Sequence, residues 1–245
     1  MSTTSELPTV ALRIAALDAL IEGEEREAAI LAALEDAQPA VRERAIRLAA
    51  RHLEPAVLGE LVADDANAVR RNSAIAALER QGPYAVPQLQ VMLRLDDLDV
   101  VMFALQVLAR IGDPAPTAAI LPLLRHPDLN VAQSAIEALG QLRSREAVPA
   151  LLELLQGELW LQLAAIDALG AIGDARAVGP LVDLVPDSVV AEPALEALQR
   201  LAAATLDPIE RARVLCQAAE IAKLQDWNVA QQLFERARAD DPDLI

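Results

Sequence analysis

The feature that most constrains this chain is a short phrase that returns at near-constant intervals: an Ala, then Ile or Leu, then an apolar residue four positions after the Ala. It begins at Ala16, Ala45, Ala74, Ala104, Ala135, Ala165 and Ala194, at intervals of 29, 29, 30, 31, 30 and 29 residues. Its fullest form is AIDALGAIGD, from Ala165 to Asp174. Self-similarity with a period of this size marks stacked repeats, in which no unit buries its apolar face without a neighbour. The repeat covers most of the 245 residues, so the sequence predicts one elongated array rather than separate round domains.

The composition fits such an array. Hydrophobic residues make up 54% of the chain and aromatic residues 2%, so the interior has to be built from Ala, Leu, Val and Ile on close-set helices. The first anchored helix is predicted at about 9 to 21, after a flexible, polar leader at residues 1–8. Each later anchor has a preceding helix of its own, predicted at 24–35, 54–63, 85–95, 116–125, 146–156 and 175–185. Breakers separate them, among them Gly82-Pro83, Gly112-Asp113-Pro114, His126-Pro127, Gly157 and Gly173-Asp174. Both glycines of the GAIGD segment, Gly170 and Gly173, are expected to serve chain reversal.

Three stretches carry a family resemblance: VLARIGDPAP at Val107 to Pro116, LRSREAVPALLELL at Leu142 to Leu155, and ALGAIGDARAVGPLVDLV at Ala168 to Val185. They resemble the short HEAT-like repeats of phycobilin lyase subunits. The resemblance covers about residues 9–204 and implies an all-α right-handed α–α superhelix, a HEAT-like solenoid of about seven helical pairs. The Asp…Val-Arg signature of such repeats stands at Asp36…Val41-Arg42 and Asp65…Val69-Arg70. It is lost at Val100-Val101, Val131-Ala132 and Leu161-Gln162, so an Asp–Arg ladder between repeats is expected to be interrupted in the middle. From 205 to 245 the pattern changes. Ala218, Ala230, Phe234, Ala237 and Pro242 fall at positions of a tetratricopeptide-like helical pair, though Val214 and Ile221 replace its usual Trp and Tyr. This segment is read as a cap with a polar outer side.

At 100° per residue, positions −4, 0, +4 and +7 from the anchor share one side of the helix, and −2 and +2 lie opposite. The −2 column reads Ile14, Glu43, Asn72, Met102, Gln133, Leu163 and Glu192, and the +2 column reads Asp18, Arg47, Ala76, Gln106, Glu137, Asp167 and Glu196. In HEAT-like solenoids this ridge lines the concave face, an implication of the resemblance. Met102, Trp160 and Leu163 would then form an apolar centre with Gln106, Gln133, Glu137, Asp167 and Glu196 around it, a surface suited to a partner protein with a basic segment. Alternatively, Trp160 folds back over the Gly157 turn and Met102 packs beneath it, filling space.

Charge and chemistry narrow the function. A net charge of −16, with Lys223 the only lysine, opposes nucleic-acid backbones. Arg42, Arg44, Arg47, Arg51, Arg70 and Arg71 are expected to pair with acids such as Glu43, Asp64 and Asp65. His52, His126 and Cys216 lie in separate repeats and make no zinc site. With no His-Glu pair, the chain lacks the ligands of the HEAT-repeat hydroxylase that modifies a translation-factor lysine. HEAT-like DNA glycosylases use a basic, aromatic groove, and the acid ridge and single Tyr84 oppose that. Glu137 and Asp167 could form a carboxylate pair on adjacent helices, but a solvated acid stripe is the plainer reading. No phosphate loop or nucleophile elbow is present. No catalytic residue, metal or cofactor is therefore expected, and the chain is read as a cytoplasmic, non-enzymatic scaffold without a membrane span. The alternative, suggested by the repeat subtype, is a bilin lyase subunit or chromophore-handling chaperone. Thin aromatic supply and an acidic ridge facing the bilin propionates weigh against it.

Overall fold

The computed structural model describes residues 9–20, 23–64, 66–205, 207–223 and 227–241. The leader, residues 1–8, and Asp65 and Pro242 lie outside them. Among the described residues every regular element is helical. The chain packs as two compact units, residues 1–111 and 112–245.

The first unit holds α1 (Val10–Ala19), α2 (Glu24–Ala33), α3 (Pro39–His52), α4 (Pro55–Ala63), α5 (Ala68–Gln81), α6 (Val86–Met92) and α7 (Leu98–Ile111). The second holds α8 (Thr117–Ile120), α9 (Leu129–Gln141), α10 (Val148–Leu154), α11 (Leu159–Ile172), α12 (Val178–Leu184), α13 (Ala191–Thr205), α14 (Pro208–Ala222) and α15 (Trp227–Asp240). From α2 to α13 each even-numbered helix packs against the next, as the first and second helix of a pair. The second helices also contact one another within each unit, α3 with α5 and α7 beyond it, α9 with α11, and α11 with α13. This is the expected all-α fold of helical pairs, with α1 leading and α14–α15 closing the array.

Local chemistry sets the helix starts. The side chains of Asn67, Asp97 and Asp128 accept backbone N–H groups at the openings of α5, α7 and α9, satisfying donors that have no intrahelical partner. Pro39, Pro55 and Pro208 stand at the first helical positions of α3, α4 and α14, where a missing N–H costs nothing. The first helices are shorter than their sequence pattern predicts. Tight 3-10 turns at Gly82–Ala85, Arg145–Ala147 and Ala175–Ala177 precede α6, α10 and α12. In the fourth pair α8 stops at Ile120 and a 3-10 turn runs from Leu121 to Arg125, because Pro122 supplies no N–H to continue the α-helical ladder.

Glycine has two uses here, and one departs from expectation. Gly173 ends α11 in the left-handed region, at φ 69°, and serves chain reversal as predicted. Gly170 does not. It lies inside α11, where an added Cβ would stand 2.8 Å from the Ala197 Cα of α13, and Gly140 in α9 approaches the Ala168 Cα of α11 in the same way, at 2.9 Å. Both glycines let second helices pack backbone against backbone.

In the closing pair, Ala212, Leu215, Ala218, Ala219 and Ala222 of α14 are buried, as are Ala230, Leu233 and Ala237 of α15. The Arg211 guanidinium grips both oxygens of Asp240 across the pair and holds that carboxyl below its ordinary range. Arg236 donates to Gln199, joining α15 to α13.

Candidate functional site

Side-chain geometry is richest on the outward face of α9, α11 and α13 in the second unit. Trp160, in the first turn of α11, is 60% exposed and its indole N–H donates to the Gln133 side-chain oxygen on α9. The Gln133 amide in turn donates to Glu137 at 2.8 Å. The indole is therefore tethered across two helices. It does not pack down as filler.

The expected residues fall in both units. In the second unit, Glu137, Asp167 and Glu196 are exposed and Leu163 is half-buried. Glu137 and Asp167 do not act as a carboxylate pair, since Asp167 accepts the Arg200 guanidinium at 2.7 Å while Glu137 holds Gln133. In the first unit, Met102 is half-buried and Gln106 exposed on α7.

Two features of this face were missed by reading the −2 and +2 columns alone. Leu129 and Leu159, at the openings of α9 and α11, are 42% and 48% exposed and extend the apolar surface beside Trp160. They occupy position −6, which holds Leu in three successive repeats, at Leu98, Leu129 and Leu159. Position +6 carries Arg51, Arg80, Arg110 and Arg200, and the last three pair back to an acid of the preceding second helix: Arg80 to Glu43 at 3.0 Å, Arg110 to Glu79, and Arg200 to Asp167. The ladder between repeats runs through this column. Arg42 instead donates to the Asp36 and Ala37 carbonyls, at 2.6 and 3.1 Å.

Three of the six N-terminal arginines pair with acids as expected. Arg44 pairs with Asp18, Arg47 with Glu43, and Arg70 with Glu35 and more distantly Asp64. Arg71 lies over the Phe103 ring, 5.3 Å from its centroid. The Arg47 and Arg80 guanidiniums hold the Glu43 carboxyl below its ordinary range. At the turn before α12, hydrogen bonds from the Arg176 side chain and backbone lower Asp174 to about 2.

Nucleophiles and metal ligands are sparse. His52 ends α3 beside Arg26, and the His126 ring accepts the Asp128 N–H in the turn before α9. Burial pushes the Cys216 thiol above its ordinary value, with Glu220 adding to the effect, which disfavours a reactive thiolate. Among the described residues no group of three or more His, Cys, Asp or Glu could hold a metal ion, and no helix is long and apolar enough to cross a membrane.

Comparison with known proteins supplies what the side chains do not. Residues 117–202 match the model for HEAT repeats. Over 55 residues, 22% of this chain, the sequence is 51% identical to the Bilin biosynthesis protein PecE of Mastigocladus laminosus. That stretch spans only 20% of the relative's own length. Among solved structures, the complex of CpcE and CpcF of phycocyanin lyase from Nostoc sp. is 18% identical, with 97% of this chain and 99% of that one covered at a TM-score of 0.45. An engineered protein is 21% identical, with 95% and 71% covered at a TM-score of 0.48.

The 51% identity to a bilin biosynthesis protein overturns the expectation that the chain is not an enzyme. That expectation rested on a shortage of convergent titratable groups, which bears on whether these side chains do the chemistry themselves and leaves open a part in catalysis shared with a substrate or partner. The recurrent pairs are HEAT repeats over residues 117–202, so the chain is a HEAT-like repeat protein, similar over 55 residues to a bilin biosynthesis protein.

Proposed function

We propose that this chain is a bilin lyase-type subunit that handles a linear tetrapyrrole together with a partner protein. The 51% identity to a bilin biosynthesis protein carries the reading. The second-helix face supports it. Trp160 offers an exposed, tethered aromatic surface, and Arg200 at Asp167 sets a guanidinium on a face whose acids alone would repel propionates. The objection raised by the sequence columns is thereby weakened.

In the second unit, Gln133, Glu137, Trp160, Leu163, Asp167 and Glu196 are the proposed contact surface, with Leu163 and Trp160 as apolar centre and Glu137 and Glu196 as an acidic rim for a basic partner segment. Met102 and Gln106 are the proposed contacts of the first unit. A cytoplasmic setting fits a chain with a single cysteine. The test is covalent chromophore attachment when purified protein is mixed with apo-phycocyanin and phycocyanobilin. Attachment should be faster than in the protein-free mixture, and slower again with Trp160→Ala. A rate equal to the protein-free mixture contradicts the reading.

A further inference from the structure

The second helices of the second unit, α9, α11 and α13, carry four acids, Glu137, Asp167, Glu192 and Glu196, and a single cation, Arg200. That cation is held differently from the arginine in the same column of α5. Arg80 grips both oxygens of Glu43, at 3.0 and 3.1 Å, whereas Arg200 donates from one nitrogen to one oxygen of Asp167, at 2.7 Å. Among the described residues Arg200 pairs with no other acid, so most of the five N–H donors of its guanidinium stay unspent. The Arg200 and Asp167 side chains are 46% and 71% exposed. Beside the guanidinium lies bare backbone: a Cβ at Gly170 would stand 3.1 Å from the Arg200 Nη2.

Along α11 this place is continuous with the exposed indole. Trp160, Leu163, Asp167 and Gly170 stand at i, i+3, i+7 and i+10, on one face of the helix, and Trp160 and Asp167 are about 10 Å apart along its axis. The face therefore runs from the exposed ring across half-buried Leu163 to a guanidinium that already holds a carboxylate. A linear tetrapyrrole joins flat conjugated rings to two propionates on its inner rings, so one molecule can lay a ring on the indole and bring a carboxylate to the guanidinium. We propose that Arg200 is the specificity-determining residue of this face, its guanidinium binding a propionate carboxylate of a tetrapyrrole whose ring rests on Trp160. Asp167 occupies the guanidinium in the free protein and competes with that carboxylate. This role rests on the bilin-handling reading of the face and names the group that the face selects.

The test titrates the full chain with phycocyanobilin and with its dimethyl ester, following bilin absorption. The free acid should bind at least about tenfold more tightly than the diester. Arg200→Gln should abolish that preference by weakening the free acid alone, whereas Trp160→Ala should weaken both ligands alike. Asp167→Asn should tighten the free acid and not the diester, because it removes the competing carboxylate and leaves the guanidinium. Circular dichroism checks that each variant remains folded, and since Arg200→Gln and Asp167→Asn act in opposite directions, a general loss of structure does not mimic both. Equal binding of the two ligands by the unsubstituted chain, or a folded Arg200→Gln protein that keeps the preference, overturns the role of Arg200 while the bilin-handling reading stands. Binding of neither ligand overturns both.

Discussion

Two residues of the second unit show how closely local chemistry is tied to packing. Gly170 brings the α11 backbone against Ala197, and a methyl group there has no space without moving the α13 backbone. Ala has the better helix propensity by about 0.5–1 kcal/mol, but overpacking costs about 1–3 kcal/mol, so Gly170→Ala should lower stability. Urea unfolding should show an earlier midpoint with unchanged slope. Asp174 gives a pH signature. Its native value of about 2 lies below that of the unfolded chain, so its stabilisation is present above the ordinary carboxylate value near 3.8 and is lost as pH falls through about 2. Asp174→Asn should therefore reduce the acid dependence of stability in that window. A native-minus-variant stability difference that stays constant from pH 5 to pH 2 counts against the assignment. Neither role was legible beforehand: Gly170 looks like a turn residue until α13 is placed beside it, and the Asp174 interaction depends on the fold of the turn around Arg176.

At the scale of the helices, much was legible because the anchor spacing repeats. Second helices follow their predicted faces closely, since a helix buried between neighbours must keep its apolar side at 3.6-residue spacing. First helices are less faithful. Pro87, Pro149 and Pro180 stand in the first turns of α6, α10 and α12 and Pro122 in the 3-10 turn after α8, and the chain forms short α-helices and 3-10 turns that a periodicity argument does not separate from longer helices. The outward surface was half legible. The −2 and +2 columns found Gln133, Glu137, Leu163 and Asp167, but the arginine that engages Asp167 and the leucines beside Trp160 stand in other columns of the same helices. For Trp160→Ala, stability should change by no more than about 0.5 kcal/mol because the ring is largely exposed, while partner binding should weaken by about 2 kcal/mol or more. Asp167→Asn should leave affinity near its starting value and reduce its salt dependence. Comparing melting curves with partner titrations at two ionic strengths separates these effects.

Within each unit the helical pairs depend on their neighbours. In the second unit α14 rests against α12 and α13, and removal of residues 205–245 would leave buried positions such as Leu198 and Leu201 of α13 with less cover. The truncated chain should aggregate or unfold over a broader range; a soluble truncation with the same melting curve would show that the closing pair is no cap. The most direct measurement of the proposed function is bilin binding at Trp160. With Trp227→Phe the chain keeps Trp160 as its one tryptophan, and titration with phycocyanobilin should quench its emission saturably at one bilin per chain, with an accompanying change in bilin absorption. In the Trp160→Ala protein that absorption change should be weakened by at least about tenfold in affinity. Quenching that never saturates, or an absorption change that is the same without Trp160, would contradict a bilin-handling face on the second helices.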